Sequence, residues 1–179
     1  MPKPAATEKE ISTTEVEKSI KSDDVNPIIN NVYNIVCVKH GDKYSADYVN
    51  KLYSMCKRHC TLDFNFICLT EDPKNIDPEI TIKMLPPKIQ GWWCKMYVFA
   101  AELELEGTVL YMDLDIVISN NIDKLLTYQP SKWAIIRDFL RSQRPTWKKY
   151  NSSVIKFNAA ELNTLWEDFS DDYIKDRKS

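Results

Sequence analysis

The sequence predicts an α/β sandwich with a mostly parallel central sheet in one domain, and three observations carry that prediction. Apolar, β-branched runs of strand length recur, first as Val-Tyr-Asn-Ile-Val-Cys-Val from Val32 and again around Phe66 to Leu69. Strands this continuously apolar belong in a sheet covered on both faces. Between those runs Tyr44, Tyr48, Val49, Leu52, Tyr53, Cys56 and Cys60 fall at helical spacing, so strand, helix and strand follow one another within about 40 residues as a right-handed crossover with parallel strands. The third observation is the stretch 108–119, Thr-Val-Leu-Tyr-Met-Asp-Leu-Asp-Ile-Val-Ile-Ser, which reads as another strand buried inside the sheet. Ligands of such sheets collect at the carboxyl ends of the strands. His40, Thr70 and the pair Asp113 and Asp115 all fall there.

In chain order, residues 1–31 are rich in Lys, Glu, Ser, Thr and Asp and hold no aromatic residue. That composition cannot bury enough surface to offset the entropy of ordering, so a disordered tail is expected, and the compact domain is expected over 32–179. A Gly41-containing turn closes the first strand, and Ser45 or Asp42 can cap the helix that follows. The second strand is expected over 63–71 and a short third over 80–84, bracketed by Pro78 and by Pro86-Pro87. A second helix is expected over 91–107, with Trp93, Met96, Phe99, Ala100 and Leu103 on one face and Gly107 as its stop. Asn120, Asn121 and Asp123 start a short turn or helix through Leu126; strands follow over 133–137 and 153–157. Asn158 can cap a last helix carrying Leu162, Leu165, Trp166 and Phe169.

Composition narrows the function classes. A chain of 179 residues with 44% hydrophobic and 28% charged residues is long enough for a sizeable core without staples. Its formal net charge of −2 provides no field for gathering nucleic acid. The five cysteines are odd in number and form no Cys-x-x-Cys pair, so they are expected to be buried thiols in a reducing compartment, which places the protein in the cytoplasm. Cys56, His59 and Cys60 lie close in sequence but lack the second ligand cluster that structural zinc requires. No apolar run of about 18 residues and no signal peptide is present, so no transmembrane segment is expected.

Asp113 and Asp115 interrupt an otherwise apolar run and need a reason. Alternation along an extended chain puts both on one side with Leu114 on the other. Hard oxygen donors at that spacing suit Mg²⁺ or Mn²⁺, which keep positions open for water and a substrate phosphate. The alternative is a strand that ends at Met112, with the two aspartates in a solvated turn.

Several separated pieces resemble one family. Gly91-Trp92-Trp93-Cys94-Lys95-Met96, then Tyr111-Met112-Asp113-Leu114-Asp115, then Asn121-Ile122-Asp123 and Tyr150-Asn151-Ser152-Ser153-Val154 are similar in order and spacing to the nucleotide-sugar glycosyltransferases of the GT-A fold, of the glycogenin-like and bacterial polysaccharide types. The resemblance implies a GT-A domain that moves a sugar from a nucleoside-diphosphate sugar, UDP-sugar favoured, to the hydroxyl of a glycan or protein acceptor with retention, using Mn²⁺ or Mg²⁺. It implies that Asp113 lies over the ribose and metal and that Asp115 is the firmer metal ligand. It places Lys95 against the diphosphate or donor sugar and Val38, Lys39, His40 and Tyr44 around the base; Thr70, Trp92 and Leu114 complete the donor-binding set. Asp138 is implied at the donor-sugar hydroxyls and Asn151 beside the reacting sugar, the two forming the catalytic set with Lys95. Family members continue past the Asn-Ser-Gly-type strand to a late histidine that completes the metal site, whereas here the only histidines are His40 and His59, and Ser153 stands where the family often has glycine. That departure leaves two other expectations: hydrolysis of the nucleotide-sugar, or a non-catalytic binding module whose site a protein partner or a second copy completes.

Overall fold

The computed structural model describes residues 32–138, 150–161 and 164–176; the tail expected over 1–31 lies outside the described residues. Six strands form one sheet: β1 (Tyr33–Lys39), β2 (Asn65–Thr70), β3 (Thr81–Met84), β4 (Thr108–Met112), β5 (Ala134–Arg137) and β6 (Tyr150–Asn158). Their spatial order is β3-β2-β1-β4-β6-β5. β1 runs parallel to β2 and β4, and β2 parallel to β3, while β6 is antiparallel to both β4 and β5. Helices α1 (Ala46–His59), α2 (Asp123–Thr127) and α3 (Leu165–Asp176) accompany it. The chain steps outward from β1 through β2 to β3, then returns to lay β4 on the other side of β1. That reversal leaves a crevice at the carboxyl ends of β1 and β4, where ligands of open α/β sheets bind.

Burial on both faces explains why the strands read as unbroken apolar runs. Val109 and Tyr111 of β4 pack on one face with Val36, Leu69, Phe157, the 91–103 segment and Trp166 of α3. Leu110 and Met112, the alternate residues, pack on the other with Ile35, Cys37 and Cys68, against Val49, Leu52 and Cys56 of α1 and Leu126 of α2. Four of the five cysteines are buried in these layers, and all five are free thiols. Burial pushes the Cys56 thiol up to about 12, with the neighbouring Cys60 adding to the shift. Among the described residues no helix is long and apolar enough to cross a membrane.

The segment after Pro87 differs from the expected second helix. It is a 3-10 helix over Gly91–Phe99, broken by extended backbone at Ala100, with a further 3-10 turn over Ala101–Leu103 and Glu104 in the left-handed region at φ 50°. Cys94, Tyr97, Ala100 and Leu103 are buried and stand three apart, a spacing that suits a 3-10 helix, and Val98 and Phe99 between them are buried as well. Trp92, Trp93, Tyr97, Val98 and Phe99 are also weak α-formers. Of the face expected to be buried, Phe99, Ala100 and Leu103 are inside, whereas Trp93 is exposed. Gly107 does not stop a helix but admits β4 to the sheet: at φ 72° it lies so close to Val32 that a Cβ would collide with the Val32 carbonyl oxygen. The neighbouring Thr108 N–H donates to that oxygen at 2.9 Å.

Candidate active site

β4 ends at Met112, so Asp113 and Asp115 stand in the turn just beyond it and not within an extended strand. The Asp113 N–H still donates to the Ser153 carbonyl of β6 at 2.9 Å, and the Asp113 carbonyl accepts the Ile116 N–H at 3.2 Å to close the turn. The buried Leu114 packs into the α1 side of the core, which pins the turn between the two carboxylates. Both aspartates line a cleft of about 420 Å³, together with Val38, His40, Lys43, Tyr44, Gly91, Trp92, Lys95, Tyr111 and Leu114. The convergence expected from strand alternation is thus produced by a turn anchored on a buried leucine.

Each carboxylate has partners of its own. Lys95 Nζ lies 2.8 Å from Asp113 Oδ1, and the Tyr111 hydroxyl donates to the same oxygen at 2.5 Å. Lys95 also donates to the Ser152 carbonyl at 3.2 Å and contacts its hydroxyl at 3.1 Å, and it stands 5.1 Å from the centre of the Tyr111 ring. Burial, and after it the Asp113 charge, drives the Tyr111 phenol far above its ordinary pKa, so the hydroxyl remains a donor at neutral pH. The Tyr44 hydroxyl donates to Asp115 Oδ2 at 2.8 Å. Lys43 lies over the Tyr44 ring at 4.7 Å.

At the end of β1, His40 Nδ1 is 3.1 Å from Glu71 Oε2, and the Gly41 N–H donates to Glu71 Oε1 at 2.6 Å. Burial opposes ionisation of Glu71, but the Gly41 hydrogen bond and His40 outweigh it and hold the carboxyl below its usual range. The carboxylate therefore holds the imidazole by its Nδ1 at the rim of the cleft.

Of the residues expected from the sequence, Val38, His40, Tyr44, Trp92, Lys95, Asp113, Leu114 and Asp115 share the cleft. Lys39 and Thr70 do not line it. Lys39 is only 6% exposed and donates to the Asp72 carbonyl at 3.3 Å; the Thr70 hydroxyl accepts the Asp72 N–H at 3.1 Å. Both brace the turn that carries Glu71, because a residue at a strand end can face the neighbouring loop as readily as the crevice. Asn151 accepts the Ser153 N–H on its Oδ1 at 2.8 Å and so shapes the start of β6. Asp138 follows the edge strand β5, half-buried, and like Asn151 is not among the described residues that line the cleft. Tyr111, Ser152 and Glu71 join the site without having been singled out for it. Tyr111 had a signal: it stands two residues before Asp113, on the same side of the chain.

The donor chemistry fits a hard divalent ion. Two carboxylates of one turn face one cleft, and among the described residues no group of three His, Cys, Asp or Glu side chains is placed to hold an ion. Asp113 and Asp115 would hold Mg²⁺ or Mn²⁺ as part of an oxygen shell otherwise made by water and phosphate.

No protein-family model matches the sequence, and no curated protein sequence matches it. Among solved structures, the galactosyltransferase LgtC in complex with donor and acceptor sugar analogues is similar, with a TM-score of 0.57 and 13% identity over 81% of this chain. So is the glycosyltransferase GlyE of Streptococcus pneumoniae TIGR4, with a TM-score of 0.58 and 13% identity over 84% of this chain. The chain spans 65% of the length of the first and 40% of the second. Its fold is that of the GT-A nucleotide-sugar glycosyltransferases.

Proposed function

We propose that the protein is a metal-dependent glycosyltransferase that moves a sugar from a nucleoside-diphosphate sugar, with UDP as the favoured nucleotide, to an acceptor hydroxyl with retention at the anomeric carbon. The observation that carries the reading is the meeting of Asp113, Asp115, Lys95 and Tyr111 in one cleft at the carboxyl end of β4. Cleaving the anomeric C–O bond leaves negative charge on the diphosphate, and catalysis requires positive charge and donors fixed where that charge develops. Asp113 and Asp115 would hold a divalent ion, which when bound would supply Lewis-acid stabilisation of that leaving group. Lys95, tied to Asp113 and to the Ser152 carbonyl, is held where its ammonium can pair with a phosphate oxygen. Tyr111 orients Asp113. Tyr44 and His40 line the nucleoside side of the cleft, with Tyr44 anchored on Asp115. In the transfer itself the acceptor oxygen bonds to the anomeric carbon as the diphosphate leaves with the electron pair, and the hydroxyl proton passes to the departing diphosphate.

Incubating the protein with Mn²⁺, a panel of UDP-sugars and a saccharide panel, and following UDP release and product mass, tests this reading. UDP release that disappears in Asp113→Asn and Asp115→Asn is expected. Release that persists in both variants, or that needs no divalent ion, overturns it.

A further inference from the structure

Trp92 stands out on this surface. The residue is 82% exposed, yet it lines the same cleft as the two aspartates. It meets Trp93 edge-to-face at 5.9 Å, Trp93 packs on Phe169 at 5.4 Å, and Phe169 packs on the buried Trp166 at 6.0 Å. An indole set edge-to-face on a neighbour that itself packs toward the core presents a large apolar surface to solvent. The 3-10 geometry fixes where that surface lies. Residues three apart eclipse one another in such a helix at a rise of about 2 Å per residue, so Trp92 stands on the Lys95 side of the segment, about 6 Å along it.

Lys95 holds Asp113, and Tyr44 holds Asp115. The cleft therefore has an aromatic lip at each end of the carboxylate pair. In the reading above the nucleoside takes the Tyr44 lip, which leaves the Trp92 lip to whatever approaches the anomeric carbon. We propose, resting on that reading, that Trp92 is the platform for a pyranose ring of the acceptor, so that the acceptor is a saccharide. The C–H face of a pyranose carries partial positive charge, which suits the negative face of an indole. Trp92 thus belongs to the acceptor side and not to the donor-binding set.

The test uses the full chain with Mn²⁺ and UDP present, and methyl glucopyranosides, methyl galactopyranosides, lactose and maltose as probes. Saturation-transfer NMR reads which protons touch the protein, and UDP affinity is measured in parallel by calorimetry. The wild type is expected to saturate the C–H protons of one face of a pyranose. Trp92→Ala should weaken that binding at least tenfold and change UDP affinity less than twofold, with an unaltered melting temperature. Trp92→Phe should retain most of the saccharide binding. Wild-type protein that binds UDP but no pyranoside, or saccharide binding equal in Trp92→Ala, overturns the proposal. So does a loss of UDP affinity in Trp92→Ala, which would put the nucleobase on the indole. Absence of UDP binding in the wild type would instead overturn the proposed function, and the saccharide signal would still decide the platform.

Discussion

Lys95 pairs with the Asp113 carboxylate and, in the proposed function, passes to a diphosphate during reaction, and the two roles can be separated. Its ammonium sits on Asp113 Oδ1, one of the oxygens that would hold a cation, so like charges compete there. Lys95→Met is expected to strengthen Mn²⁺ binding in the absence of nucleotide while lowering kcat/KM about 10²- to 10³-fold, the usual cost of losing one charge-stabilising group. Calorimetry and UDP release read the two effects independently, and weakened Mn²⁺ binding in this variant would contradict the assignment. At this scale the sequence disclosed side chains that meet in the cleft, such as Asp113, Asp115, Lys95 and His40, because their chemistry is unusual beside apolar strands. It did not disclose Glu71 and Ser152, which act on those side chains: a hydrogen bond between residues 57 positions apart, as between Lys95 and Ser152, leaves no local pattern. Lys39 and Thr70 do not line the cleft, because a strand-end position says nothing of which way a side chain turns.

Among the elements, three junctions each make a prediction. Gly107→Ala forces a Cβ onto the Val32 carbonyl at a positive φ, and a loss of about 2 kcal/mol is expected in denaturant unfolding. Lys156, 2% exposed on β6, donates to the carbonyls of Gln129, Pro130 and Lys132 at 2.8, 2.9 and 3.0 Å. Lys156→Met leaves those carbonyls without the ammonium and is expected to cost about 3 kcal/mol, whereas an unchanged denaturation midpoint would show that solvent replaces it. The Asp123 carboxylate at the start of α2 ties that helix to the end of α1. It accepts hydrogen bonds from the Thr61 hydroxyl, Asn121 and the Thr61 N–H, in that order of effect, and they hold its pKa well below the usual carboxylate range. A depressed folded-state pKa contributes stability that is present above the unfolded value near 3.9 and is lost as pH falls through the folded value. Asp123→Asn should therefore lower the melting temperature at pH 7 and progressively less as pH drops below about 4; a difference independent of pH would contradict this. The strands were legible because burial on both faces writes itself as unbroken apolar runs. The 3-10 geometry of the 91–107 stretch was not legible because apolar spacings of three and four both suit an α-helix, and Val98 and Phe99 are buried beside Cys94, Tyr97, Ala100 and Leu103.

In the molecule as a whole, the cleft lies at the reversal of strand order beside β1. The parallel crossover from β1 to β2 was readable from alternating strand and helix patterns, and the placing of ligands at strand ends followed from that. The insertion of antiparallel β6 between β4 and β5 was not readable, since its register rests on pairings such as Met112 with Val154 across a long separation in sequence. Yet that insertion brings Ser152 and Ser153 to Lys95 and Asp113.

The central claim is that the Asp113–Asp115 turn binds metal and nucleotide together, and calorimetric titration of UDP with and without Mn²⁺, and of Mn²⁺ with and without UDP, tests it most directly. Two protein carboxylates leave most of an octahedral shell to phosphate oxygens and water, so Mn²⁺ alone should bind weakly. Each ligand should then raise the affinity of the other by the same factor, as linkage requires. Asp115→Asn should abolish the coupling, and His40→Ala and His59→Ala should leave it standing. Equal UDP affinity with and without Mn²⁺ in the unaltered protein would contradict the account.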